Sequence, residues 1–196
     1  MVFGMTSWIL PVTVALLMLS IFWAVGCYNR LQRLRHAALS SLQHLVTAIG
    51  TRNQLAINLL ATLDGNLQHE RAALAEVSAA VHRSTAVAEA AGLTRGDSRA
   101  LETLAAGEAA LGMGLWNLRN LSAAYPELVV NEQLSTQWHE LDGALAAAEF
   151  AREQFNTSAI AYAQACAEKP ASWLARVMRL PAMAHLRKGA AVTFAS

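Results

Sequence analysis

The feature that most constrains this chain is an uncharged block at residues 8–28, WILPVTVALLMLSIFWAVGCY, followed at once by arginines. As a helix it is roughly 31 Å long, the thickness of the hydrocarbon core of a bilayer. It predicts a transmembrane helix over residues 7–28, preceded by a short tail at 1–6. Pro11 is expected in the first turn of that helix, where a missing N–H costs little. Hydrophobic residues make up 55% of the 196-residue chain and charged residues only 15%. The block explains much of this excess, and the rest is alanine and leucine at helical spacing, which calls for packed helices and no second span.

The flanks of the block orient it. The residues before Ser7 contain no Lys or Arg, whereas Arg30, Arg33 and Arg35 follow closely. The positive-inside bias therefore predicts a single-pass protein of the inner (cytoplasmic) membrane, with its N-terminus outside and the rest of the chain in the cytoplasm. Trp8, Trp23 and Tyr28, with those three arginines, are the candidate membrane-anchoring residues. A cleaved signal peptide is disfavoured by the missing basic leader and by the length of the block. The competing reading uses Cys27: the small residues of AVGC resemble a lipoprotein processing site, which would make Cys27 a lipidated N-terminus outside the cytoplasm.

Past residue 31 the chain reads as helix. Positions 38, 42, 45, 49, 56, 59 and 63 carry Ala, Leu, Leu, Ile, Ala, Leu and Leu, a heptad seam continuous with the anchor. Gly50-Thr51 is a candidate kink, and Asp64-Gly65 is the first stop signal. A second helix is expected over 66–91, with Leu67, Leu74, Val77, Val81 and Ala88 on its apolar face. The AGLTRGDS stretch ends it, and Asp97 or Ser98 caps a third helix whose seam is Leu101, Leu104, Leu111, Leu115 and Leu118. After a turn at Tyr125-Pro126, a fourth helix carries Leu134, Trp138, Leu141, Leu145, Ala148, Phe155, Ala159, Tyr162 and Cys166 on one line and stops at Lys169-Pro170. With no β-rich run and no phosphate-binding glycine loop, the fold class is all-α: one N-terminal transmembrane helix followed by an antiparallel four-helix bundle over 29–169, with long first and fourth helices.

Three charges interrupt the seams: Arg52, Glu108 and Arg152. Unpaired burial would be costly. The simpler account is that each side chain snorkels to water. The sharper one is a polar layer in which Glu108 pairs with Arg152 or Arg52 and holds the helices in register.

Several separated motifs resemble one family in the right order. The opening Tyr28, Asn29, Leu31, Leu34 and Arg35, then Arg52, Leu55, Asn58 and Leu59, then Gly65, His69 and Glu70, follow the first half of the LemA family, whose patterns include RRxDLIPNLV and KGYAxHE. YPELVVNEQL, with Tyr125, Pro126, Leu128, Asn131 and Glu132, is similar to its YPxLKANExF. FAREQFN, with Phe150, Ala151, Arg152, Phe155 and Asn156, is similar to its FARRFYN. The chain departs from the family at Leu42, Val46, Thr51, Ile57 and Asp64. The resemblance spans roughly 28–186. It implies a bacterial membrane-anchored helical bundle facing the cytoplasm, with no established enzymatic activity.

No catalytic, cofactor-binding or metal site is legible beside this. HERAA, at His69-Glu70, lacks the second histidine of a zinc-protease helix. The remaining histidines, His36, His44, His82, His139 and His185, are scattered, and Cys27 and Cys166 form neither a disulfide framework nor a ligand set. Trp138 reads as a large core residue. The net charge of +1 offers no field for nucleic acid. The tail, residues 170–196, includes SWLARVMRLPAMAHLRK, in which Trp173, Arg176 and Arg179 are candidate lipid-surface contacts; alternatively its apolar face closes the end of the bundle. The expected partners are membrane lipid, a protein not identified by the sequence, and a second copy through self-association. The expected function is that of a non-enzymatic scaffold, the alternative being an extracytoplasmic binding protein or enzyme anchored through Cys27.

Overall fold

In the computed structural model, which describes residues 6–168 together with Ser172 and Leu186, the apolar block and the first seam form one helix, α1 (Thr6–Asn66), 61 residues long. That is about 90 Å of uninterrupted helix. Because α1 begins at Thr6, Pro11 lies inside it and not in its first turn, and the helix forgoes the bond that an N–H there would make to the carbonyl one turn back. Gly50 does not break it either. The seam on both sides, Leu42, Leu45, Ile49, Ala56, Leu59 and Leu63, is fully buried, and such packing outweighs the propensity cost of one glycine.

The first hairpin differs from the sequence reading at its turn. α2 runs over Arg71–Leu93, starting later than residue 66. Leu67 leaves the helical path to join the core, and Gln68–Glu70 turns the chain as a short 3-10 segment. At its other end α2 continues past residue 91 and stops where Arg95 (φ 54°) and Gly96 (φ 75°) adopt left-handed backbone. Gly96 N–H returns to the Ala91 carbonyl at 3.0 Å, closing the last turn. α3 (Ser98–Ala123) is capped by Asp97, whose carboxylate accepts from Arg99 N–H at 3.3 Å. A single-turn α4 (Pro126–Val129) replaces the simple turn expected at Tyr125-Pro126. α5 (Glu132–Ala167) is capped by Asn131, which accepts from Leu134 N–H at 3.0 Å.

α1 packs along α5 and along α2, and α2 packs along α3. The hairpins make the neighbours antiparallel, and the long helices are the first and the last, so the bundle is of the expected kind. Its core divides into two apolar clusters. The distal one gathers Ala56, Leu59, Leu63, Leu67, Val77 and Leu115 with their neighbours. The proximal one, nearer the apolar end of α1, gathers Leu42, Leu45, Ile49, Leu101, Leu104 and Phe155. Residues of α1 before this bundle contribute nothing to either: the apolar window has none of its residues buried, and Leu17, Leu19 and Phe22 are 63%, 67% and 78% exposed.

Candidate functional site

What separates the two clusters is polar. Arg52 extends from α1 across the bundle to α3, where its guanidinium donates to both carboxylate oxygens of Glu108, Nη1 to Oε2 at 2.5 Å and Nη2 to Oε1 at 2.9 Å. Its Nε and Nη2 also donate to Asn53 Oδ1 at 3.1 and 2.8 Å, and Nη2 reaches Ser84 Oγ at 3.0 Å. Ser84 in turn donates to Glu108 Oε1 at 2.7 Å, and Asn53 Nδ2 donates to Thr85 Oγ1 at 2.9 Å. Three helices thus meet in one network. Arg52, Asn53 and Ser84 are buried, so Arg52 does not snorkel: Glu108 neutralises it inside, and a bidentate charge-assisted pair is the strong form of such a contact.

Arg152 is not part of this layer. It lies half-buried on α5 and pairs with Glu149, one turn back on the same helix. Glu108 is engaged by Arg52 and Ser84 from α1 and α2, and the Arg152 guanidinium finds its carboxylate on its own helix. Asn53, Ser84 and Thr85 belong to the layer although they match no site pattern in the sequence. The signal was in the seams, each of which skips one apolar position, leaving a seven-residue step: between Ile49 and Ala56, Val81 and Ala88, Leu104 and Leu111, and Ala148 and Phe155. Gly107 lets α3 come close to α2 there, since a Cβ at that position would stand 3.0 Å from Val87 Cγ2.

The network is chemically closed. Its donors and acceptors serve one another between two apolar layers. Burial of the charges offsets most of their attraction. What the layer opposes is slippage, because a shift of one helix by a turn would set Arg52 against leucines.

A shallow cleft of about 210 Å³ lies between α3, α4 and α5, lined by Ser122, Leu128, Leu134 and Ser135 with Arg119 and Trp138. Trp138 is half-buried and flanks the distal cluster, which corrects its reading as a core residue. The Arg119 guanidinium stacks 4.7 Å over its ring and pairs with Asp142 at 2.5 Å. A ring under a cation is better placed at the rim than sealed inside, because the cation stays partly hydrated. Nearby, Tyr125 OH donates to Glu70 Oε1 at 3.2 Å, tying the turn before α4 to the turn before α2.

At the other end, Arg30 forms an exposed ion pair with Glu168 at 3.4 Å. Tyr28 OH accepts from Gln32 Nε2 at 2.9 Å, Trp23 and Arg33 are exposed, and Arg35 is half-buried. Cys27 lies half-buried within the continuous α1. Trp8 falls on α1, but its side chain is outside the described residues, as are Trp173, Arg176 and Arg179 of the tail. Leu186 of the tail is described: it is buried in the proximal cluster, and its backbone is held by Asn156 through two hydrogen bonds. Tyr162 is buried on α5, and desolvation, followed by its hydrogen bond with Cys166, pushes its phenol up to about 12. His36, His44, His69, His82 and His139 are all exposed, and among the described residues no group of His, Cys, Asp and Glu is arranged to hold a metal.

Several residues that carried the family resemblance therefore do structural work in the bundle: Arg52 in the layer, Glu70 and Tyr125 in the distal tie, Asn131 at the α5 cap, and Asn156 at the tail. The sequence model described as the LemA family matches residues 41–192. No curated protein matches the chain.

Proposed function

Since the chain belongs to the LemA family, we propose that it is a membrane-anchored, non-enzymatic interaction protein, a helical scaffold that acts through protein or lipid contacts of its bundle surface. The observation that carries this reading is the continuity of α1. One helix is apolar and exposed over its first part and supplies the bundle core over its second. A helix apolar on every side needs an apolar medium, and its length suits a bilayer. Arg30, Arg33 and Arg35 then put the bundle on the cytoplasmic face of the inner membrane. The bundle stands off from that surface on a stiff stem with no linker between them, a geometry suited to presenting a surface at fixed height.

The non-enzymatic part of the reading is supported by how the polar groups are used. The buried network is spent on itself, and Arg119 at the cleft is engaged by Asp142 and Trp138. Fractionation, reporter fusions after Ser196 and proximity labelling from native membranes test the proposal together. The full chain is expected in the membrane fraction, with a C-terminal reporter active in the cytoplasm and a reproducible set of labelled neighbours. Recovery in the soluble fraction without detergent, or a reporter active only outside the cytoplasm, overturns it.

A further inference from the structure

α3 hides one face and leaves the opposite one bare. Its inward seam, Leu101, Leu104, Leu111, Leu115 and Leu118, is buried. A second stripe repeats the alternation of three- and four-residue steps on the outward side: Ala106, Ala109, Met113, Trp116 and Asn120, all exposed. Met113 and Trp116 are 57% and 47% exposed, and a Cβ at Gly112, on the flank of the stripe, would touch nothing within 4 Å. Between Glu102 and Arg119 the only charge on α3 is Glu108, which is turned inward to Arg52. The other outward faces differ: that of α2 carries Glu76, Arg83 and Glu89, and that of α5 carries Glu140 and Glu153.

The stem restricts what can meet this face. α2 reverses the direction of α1 and α3 that of α2, so α3 runs parallel to the stem. Two copies held in one membrane by stems without a linker have their α3 helices parallel and at equal height. A two-fold axis along the stems then sets each residue of a contact face beside its own counterpart. Under that symmetry a face of unbalanced charge repels its copy, and the uncharged stripe on α3 does not. Apolar residues at three- and four-residue steps are the seam by which parallel helices pair. Ala106 and Ala109 allow close approach, Met113 and Trp116 supply the apolar area, and the two Asn120 carboxamides meet across the axis, a polar layer that fixes register and favours two strands. At the end nearer the membrane, Arg99 and Glu102 are both exposed and one turn apart, so that each copy's Arg99 faces the other's Glu102.

We propose that two copies of this chain anchored in one membrane pair through α3, stripe against stripe and in parallel, an inference that rests on the membrane-anchored reading above. One helix face covers less than the about 800 Å² per partner of a standard interface. Anchoring offsets the difference, since confinement to a membrane raises the effective concentration of each copy for the other.

The test is oxidative crosslinking of full-length chains in native membranes, with both native cysteines removed by Cys27→Ala and Cys166→Ala. A single cysteine is then introduced on the stripe, by Ala109→Cys or Met113→Cys, or on the outward face of α2, by Ala86→Cys. Disulfide-linked dimers are expected at least about tenfold faster from the stripe positions than from α2, because the bond forms only where two Cα atoms come within about 7 Å. Trp116→Arg, which sets like charges at equal height, is expected to bring Ala109→Cys down to the rate of Ala86→Cys. Should that chain lose its cooperative thermal melt, Ala106→Arg takes its place. Chains recovered in the soluble fraction overturn the anchor and the pairing together. Membrane-held chains overturn the pairing alone if all three positions crosslink at one rate. They also overturn it if Ala106→Cys and Trp116→Cys chains crosslink to each other faster than each does to itself, the mark of antiparallel helices.

Discussion

Arg52 on α1 and Glu108 on α3 face each other across the bundle interior and share two hydrogen bonds of 2.5 and 2.9 Å, although α1 packs along α2 and α5. The pair is unequal: the Arg52 side chain is 6% exposed and that of Glu108 25%. Loss of Glu108 strands a cation in the core, whereas loss of Arg52 leaves a carboxylate with access to water.

That inequality sets the first prediction. Glu108→Leu is expected to cost about 3–5 kcal/mol in urea unfolding, and Arg52→Leu about 1–3 kcal/mol. Their double-mutant cycle is expected to give a coupling above roughly 1 kcal/mol, and the cycle of Glu108→Leu with Arg152→Met one near zero. The reverse order of couplings would place Arg152 in the layer and Arg52 outside it.

Trp138 is a rim residue, so its truncation is expected to cost less than a core tryptophan does. Trp138→Ala should lower stability by about 2–3 kcal/mol. Arg119→Met in the Trp138→Ala background should add little, because the stacked partner has gone. A loss of about 4–5 kcal/mol or more for Trp138→Ala alone would mean that the ring is sealed in the core.

The seams bury one another without lipid, so a fragment over residues 28–169 is expected to be soluble and largely helical by circular dichroism. Extension to residue 190 should raise its unfolding free energy by about 1–3 kcal/mol, the burial of Leu186 less the cost of closing the loop. Aggregation of the shorter fragment without detergent would show that the bundle is not self-contained. Equal midpoints for the two would show that Leu186 contributes nothing to the core.

Burial raises the Tyr162 phenol from 10.0 to about 12. A raised folded value means that the contribution to stability is complete below about pH 10 and is lost as pH rises through about 12. An alkaline melting series should therefore show destabilisation across that interval, accompanied by phenolate absorbance at 295 nm. Tyr162→Phe should flatten this part of the profile, and an unchanged slope would assign alkaline unfolding to other groups.

For the anchor, replacing Arg30, Arg33 and Arg35 with glutamine while adding lysines after Met1 should yield a measurable fraction of inverted molecules in a protease-access assay. Cys27→Ala should leave size and membrane attachment unchanged, because an unbroken helix needs no lipid. Fatty-acid labelling of the wild type that Cys27→Ala abolishes would replace the helix anchor with a lipoprotein.

Much of the architecture was legible because it is written in periodicity. The buried positions of α1, α2 and α3 coincide with the leucine and alanine seams, since a stripe at helical spacing can be hidden in only one way. Helix ends were less legible. Leu67 belongs to the seam and yet not to the helix, a decision made by the space the distal cluster offers it, and Pro11 sits inside a helix because chain ahead of it also coils. Trp138 kept the seam's spacing but met Arg119 from another helix, which drew it to the rim.

By itself, the sequence determined that the chain is all-helical, that one end is built for an apolar medium and that polar residues interrupt the seams, for these depend on neighbours a few residues apart on the same helix. The tertiary structure alone decided which arginine is sealed in the core, that Asn53 and Ser84 surround it, and that Asn156 holds Leu186. Each of those choices is made between groups on different elements. Their energies depend on distance and on exclusion of water, which only the packed bundle sets.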